Sequence, residues 1–158
     1  QSNKYVIDNS QTLVTSGGTA GYCMITVPFD SNYSIYYIQA ILNSKYLEWI
    51  TSLNGEVFRG GYIARGTKVL QNLPIKNIDF NNDLEKEMHD NIVDYQTELI
   101  LIYSNIDLNR NNSRLLTTYQ RQFDHKKIKR DNKIKELYHL SDIEDEIVPI
   151  IGDLYESN

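Results

Sequence analysis

Apolar side chains recur at Leu84, Met88, Ile92, Tyr95, Leu99, Ile102 and Ile106, at intervals of 4, 4, 3, 4, 3 and 4 residues. An α-helix brings positions so spaced onto one face, and a strand, with its period of two, scatters them over both. A second segment, from Ser113 to about Leu140, places Leu116, Tyr119, Phe123, Ile134 and Leu137 on one side. Between the two lies only the polar turn Asn109–Asn112. Long helices joined by so short a turn must run antiparallel and bury their seams together or against the rest of the chain. Asn82 or Asp83 is positioned to cap the first helix and Ser113 the second. Ser141 and Glu144 form a capping-box pattern for a last short helix, limited by Pro149 and Gly152.

Charge follows the same division. Residues 83–107 carry 7 acidic and 1 basic side chain, residues 110–135 carry 9 basic and 2 acidic, and residues 136–158 carry 7 acidic and no basic ones. The net charge of −5 is unlike that of a simple nucleic-acid binder, but partners feel blocks of charge rather than sums. The first helix is acidic and the second basic, so they complement each other. A chain of 158 residues, 41% hydrophobic and 23% charged, is long enough for one core with a helical appendage. No apolar run approaches the roughly 20 residues of a membrane span, and no secretory signal stands at the N-terminus. The single Cys23 makes no internal disulfide and no Cys-rich zinc site, which points to a reducing, cytoplasmic setting. The chain lacks an initiator Met and opens mid-pattern, so it is expected to be a piece of something longer.

Residues 1–80 read differently. Lys4–Ile7 and Tyr22–Val27, rich in β-branched and aromatic residues, predict strands around the glycine loop Thr15–Gly21. Ser34 is a good N-cap for one helix running to about Leu53, with Ile35, Ile38, Leu42, Trp49 and Leu53 at near-helical spacing. Glu56–Phe58 is strand-like, Arg59–Thr67 is glycine-rich, Pro74 forbids helix continuation, and Asn77–Asn82 is a turn. The expected fold class is therefore α+β: a small mixed part over residues 1–80, then a helical part over residues 83–158.

Which residues carry chemistry? The segment Phe58–Lys68, FRGGYIARGTK, is the best candidate for contact with nucleic acid. Arginine bonds a guanine edge bidentately, Arg and Lys grip phosphate, and glycines let the backbone come close. Arg59, Tyr62, Arg65 and Lys68 are the predicted contacts, against the alternative of a glycine-rich turn whose arginines face water. Thr19, in the glycine loop, and Lys45, at the close of Leu42-Asn43-Ser44-Lys45, are further candidates; Asn43 and Ser44 are expected to make structural hydrogen bonds. The basic run Arg121–Lys135 offers Arg121, Lys126, Lys127 and Arg130 as possible phosphate contacts. The same run reads equally as the partner of the acidic helix, or as a solvated face. His89-Asp90 resembles a metal-site fragment, but His125 and His139 are far along the chain and no second His stands at i+4, so His89 reads as a surface histidine. No Pro-Asp precedes a Glu-x-Lys, as metal-dependent nucleases require. The acids at Glu85, Glu87, Glu144, Asp145 and Glu146 fit solvated faces or helix N-termini.

The elements Leu42-Asn43-Ser44-Lys45, Phe58-Arg59-Gly60-Gly61-Tyr62 and Leu73-Pro74-Ile75 occur together and in this order within Tyr37–Phe80. In that arrangement the chain resembles the target-recognition domain at the C-terminal end of N6-adenine DNA methyltransferases. The nearest likeness is to the TaqI-like C-terminal specificity domains of combined (type IIG) restriction–modification enzymes. The helix at 84–106 resembles the one that follows such domains, including those of type I restriction specificity subunits. The stretch Lys135–Val148 is similar to a Leu-Tyr-x-Leu-x-x-x-Glu close common at the ends of these enzymes, with His139 where a Gly is usual. The resemblance implies a domain that reads double-stranded DNA while a catalytic methyltransferase module of the same parent chain does the chemistry. It implies S-adenosylmethionine, and Mg²⁺ if a nuclease is attached, as cofactors of the parent. Neither is expected in this chain: the Asn/Asp-Pro-Pro-aromatic loop that holds the target adenine is missing, since Pro28, Pro74 and Pro149 are isolated. Catalytic and metal-binding residues are accordingly expected to be none. The alternatives are half of a type I specificity subunit, or an interaction module that docks a protein through its helical hairpin.

Overall fold

The two apolar seams meet as an antiparallel pair. The computed structural model describes residues 5–8, 25–54 and 67–142. Within these the chain forms α1 (Ile35–Leu42), α2 (Lys45–Asn54), α3 (Thr67–Gln71), α4 (Asp83–Leu108) and α5 (Ser113–Leu137). Helices α4 and α5 pack along each other, and α1 lies against α4. Buried side chains of α1 (Tyr37, Ala40, Ile41, Leu42) and α2 (Tyr46, Leu47) join Leu73 and Ile78, Ile92 of α4, and Ile134 and Leu137 of α5 in one core. That core engages the first half of α4 and the last half of α5. The turn end of the hairpin leaves Leu101, Tyr103, Leu108 and Leu115 exposed. Leu84, the first residue of the predicted seam, is 70% exposed and lies outside it.

The expected α+β class is overturned. Among the described residues every regular element is a helix, and Tyr5–Ile7 and Ile25–Val27, the described parts of the predicted strands Lys4–Ile7 and Tyr22–Val27, form no ladder. The reason lies in what satisfies the backbone. The Tyr5 N–H donates to Asn43 Oδ1 at 2.9 Å, while Asn43 Nδ2 and Gln39 Nε2 donate to the Tyr5 carbonyl at 2.9 and 3.1 Å. Two side-chain amides of a helix stand in for a neighbouring strand, and a strand-prone composition does not reveal such a substitution. The other predicted β features, at residues 15–21 and 56–58, and the capping-box helix lie outside the described residues.

The single helix predicted from Ser34 to about Leu53 is two. Ser34 does cap α1, its side chain accepting from the Tyr36 N–H, but α1 ends at Leu42. Ser44, fully buried, starts α2: its Oγ accepts from the Leu47 N–H at 3.3 Å and donates to the Ile41 carbonyl at 2.7 Å. A serine that bonds the backbone on both sides ends one helix and caps the next. Asn43 and Ser44 thus make the structural hydrogen bonds expected of them. Asn82 caps α4 as anticipated; Asn112, one residue before the predicted Ser113, caps α5.

Helix α5 stops at Leu137, short of the expected Leu140, in a Schellman turn. The Leu140 N–H reaches the Lys135 carbonyl and the His139 N–H the Glu136 carbonyl, both at 3.1 Å. His139 has φ 54°, the left-handed conformation that costs a residue with a Cβ about 1–2 kcal/mol. His139→Gly is therefore expected to stabilise the chain by about 1 kcal/mol, read as a higher urea midpoint at unchanged m-value. No gain would place the strain elsewhere.

Three tyrosine hydroxyls hold the segment Pro74–Ile78 that leads into α4. Tyr37 Oη donates to the Lys76 carbonyl at 3.0 Å, and Tyr33 Oη accepts from the Ile78 N–H at 2.7 Å. Tyr138 Oη accepts from the Lys76 N–H at 3.0 Å and donates to the Pro74 carbonyl at 2.7 Å. Burial pushes the Tyr37 and Tyr138 hydroxyls above the ordinary tyrosine range, so both stay neutral donors. Proline at 74 ends the helical run, and the hydroxyls satisfy the backbone groups that an extended segment leaves open.

Candidate nucleic-acid interface

The glycine-rich segment leaves the end of α2 at Asn54 and rejoins at Thr67, the start of α3. Arg59, Tyr62 and Arg65 fall between these points, and they and Thr19 lie outside the described residues. The flanks are described. Helix α2 is anchored through Tyr46, Leu47 and Thr51, all at most 2% exposed. Thr51 Oγ1 closes onto the Leu47 carbonyl at 2.7 Å. Lys68 is exposed on α3, and Lys45 opens α2 with its ammonium 5.0 Å from the Tyr46 ring centroid. A cleft of about 420 Å³ lies between α1, α3 and residues 25–31, with a mostly apolar lining that includes Val27, Pro28, Tyr33, Leu42, Leu70 and Ile75.

The basic run, one block in sequence, is divided by the fold. Arg121 is exposed and Lys127 half-buried. Lys126 turns toward α4, where its ammonium pairs with Glu98 and lies 5.2 Å from the Tyr95 ring centroid. Arg130 is 4% exposed. Its Nε and Nη2 donate to Asp131 Oδ1 at 3.0 and 2.7 Å, Nη1 donates to Gln96 Oε1 at 3.0 Å, and Nη2 also reaches the Asn43 carbonyl at 3.0 Å. Gln96 Nε2 in turn donates to Gln39 Oε1 at 2.9 Å. The network joins α1, α4 and α5 and, through Gln39 and Asn43, the segment at Tyr5. A guanidinium so engaged has no face left for phosphate, so Arg130 is an internal strut. The spacing that puts Arg130 in line with Ile134 and Leu137 on the inward face of α5 is legible in the sequence. Its partners, on α1 and α4, are not.

His89, read from sequence as a surface residue, is 4% exposed. Its Nε2 accepts from the Ser34 N–H at 3.2 Å and its Nδ1 lies 2.9 Å from Asp90 Oδ1. A backbone donor at Nε2 assigns the ring proton to Nδ1, directed at the carboxylate. The ring sits 4.8 Å from that of Tyr37, 5.2 Å from Phe80 and 6.1 Å from Tyr33. The pair His89-Asp90 therefore ties α4 to the start of α1. Among the described residues no group of three His, Cys, Asp or Glu side chains is placed to hold a metal ion. No helix among them is long and apolar enough to cross a membrane.

Over 154 residues, 98% of its length, the chain is 48% identical to part of the type II restriction enzyme and methyltransferase RM.Eco57I of Escherichia coli. It spans 15% of that protein's length. No family model and no solved structure matches it.

Proposed function

We propose that this chain is the DNA target-recognition segment of an adenine-specific DNA methyltransferase or combined restriction–modification enzyme, and is itself non-catalytic. The observation that carries the reading is the 48% identity along nearly the whole chain to a segment of an enzyme that both restricts and methylates. The ordered elements Leu42-Asn43-Ser44-Lys45, Phe58-Arg59-Gly60-Gly61-Tyr62 and Leu73-Pro74-Ile75, which resemble the pattern of TaqI-like specificity domains, favour the recognition segment. An adenine methyltransferase holds its target base with a Pro-Pro loop, and this chain has no two prolines together. Methyl transfer, with S-adenosylmethionine, and any Mg²⁺-dependent cleavage then belong to other modules of the parent chain. Double-stranded DNA is the partner, met in the cytoplasm.

Arg59 and Arg65 are the proposed base-reading pair, with Tyr62, Lys68, Lys45 and Thr19 around them. The buried Tyr46, Leu47 and Thr51 of α2 and, beyond α3, the tyrosine-held segment Pro74–Ile78 give the segment a fixed base on either side. The test is selection of this chain's bound sequences from random duplexes at low salt. Enrichment of one short motif is expected. Arg59→Ala or Arg65→Ala is expected to cost about 1–3 kcal/mol at one position of that motif, the worth of a bidentate guanine contact. Enrichment that survives both substitutions would move base reading to other residues. Absence of any motif would overturn sequence recognition by this chain.

A further inference from the structure

Once Lys126 is committed to Glu98 and Arg130 to the interior, the remaining cations of α5 are no longer a run. Arg114, Arg121, Ile128 and Lys135 stand at seven-residue intervals, about 10.5 Å apart along a helix. His125 and Lys129 flank that line. Arg114, Arg121, His125 and Lys129 share the face turned away from the buried Arg130, Ile134 and Leu137, while Lys135 is half-buried. Arg114, Arg121, His125 and Lys129 are exposed and make no ion pair among the described residues. Of the three acids of the same helix, Asp131 and Glu136 pair with cations, while Asp124 is exposed beside Arg121. Asp131 is inside with Arg130, Asp124 accepts from Gln120 at 3.2 Å, and Glu136 from Lys133 at 2.8 Å. The result is a straight basic edge on a chain whose net charge is −5.

We infer that this outward edge of α5 grips the phosphate backbone of duplex DNA, apart from the base-reading segment. The inference rests on the DNA-recognition reading and adds a second, sequence-independent surface to it. Arg114 to Arg121 is about 10.5 Å and Arg121 to Lys129 about 12 Å along the helix. Each interval is close to the roughly 12 Å width of a major groove, so one neighbouring pair of these side chains spans the groove from phosphate to phosphate and the third meets the backbone beyond it.

The experiment measures duplex affinity against salt concentration for this chain and for Arg114→Gln/Arg121→Gln/Lys129→Gln. Glutamine keeps the helix propensity, and circular dichroism checks the fold. The slope of log K against log salt is expected to shrink by about 0.9 per lost phosphate contact, about 2.7 in all, with affinity falling equally for every sequence. A control that removes as many positive charges already in ion pairs, Lys86→Gln/Arg110→Gln/Lys133→Gln, is expected to leave the slope unchanged. If the native chain binds its DNA and the triple variant shows the same affinity and slope, the edge is only a solvated face and the recognition reading stands. An equal loss in the control overturns the inference too, because net charge alone would explain it. If the native chain binds no duplex, or prefers single-stranded RNA, both readings fall.

Discussion

Arg130→Ala is expected to destabilise the chain by about 3–5 kcal/mol, the cost of removing one partner of a buried ion pair. The substitution removes a guanidinium that is 4% exposed and leaves the Asp131 carboxylate buried without its counter-charge. It also takes the donors from Gln96 Oε1 and from the Asn43 carbonyl, where α1 ends. Each acceptor so stranded adds roughly 1–3 kcal/mol of desolvation that water recovers only in part. Arg130→Lys would keep the charge but lose the planar fork that meets three partners at once, so most of the loss should remain. The double change Arg130→Met/Asp131→Leu is expected to be milder than Arg130→Ala, because an apolar pair leaves no buried charge unmet, although Gln96 Oε1 and the Asn43 carbonyl still lose their donor. Urea unfolding followed by circular dichroism decides the matter. A loss under about 1 kcal/mol for Arg130→Ala would mean that the network does not hold the helices together. DNA affinity of the variant, measured where it is still folded, should match that of the native chain.

Tyr37→Ala is expected to cost a similar amount, about 3–5 kcal/mol. Tyr37 is fully buried, and its ring packs against those of both His89 and Tyr33, at 4.8 and 5.9 Å. Truncation opens a cavity at the crossing of α1 with α4, where His89 also accepts the Ser34 N–H. The hydroxyl has a separate share. Tyr37→Phe keeps the ring but strands the Lys76 carbonyl, and should cost about 1–3 kcal/mol. The difference between the two variants separates packing from the hydrogen bond. If Tyr37→Phe is as damaging as Tyr37→Ala, the hold on Pro74–Ile78 matters more than the aromatic cluster. If it is silent, that segment is kept in place by Tyr33 and Tyr138 alone.

The functional reading and the fold were legible to different degrees. The motifs that point to DNA recognition are local strings, and local strings need no tertiary information. Their best candidates, Arg59, Tyr62 and Arg65, are outside the described residues, so the geometry that bears on them is that of their anchors. The basic run was legible as charge but not as a surface. Helical phase alone assigns Arg121 and Lys129 to one face and Arg130 to the other, whereas the pairing of Lys126 with Glu98 depends on which residues of α4 it meets. His89 was misplaced for the same reason. A histidine among Glu87, Asp90 and Lys86 has the neighbours of a surface residue, and only the arrival of Tyr33, Tyr37 and Phe80 from other parts of the chain buries it.

Much about this protein follows from sequence alone: the two long helices, their antiparallel hairpin, and the caps at Ser34 and Asn82. Each depends on interactions within a few residues, whose spacing is written in the chain. Tertiary structure alone decided that Tyr5 lies against the amides of Gln39 and Asn43 in place of a strand, that α1 and α2 break at Asn43-Ser44, and that Arg130 is a strut. Those outcomes turn on buried polar groups finding partners far along the chain. A buried polar group must be satisfied by whatever packs against it, and periodicity says which face is inside without saying what it meets.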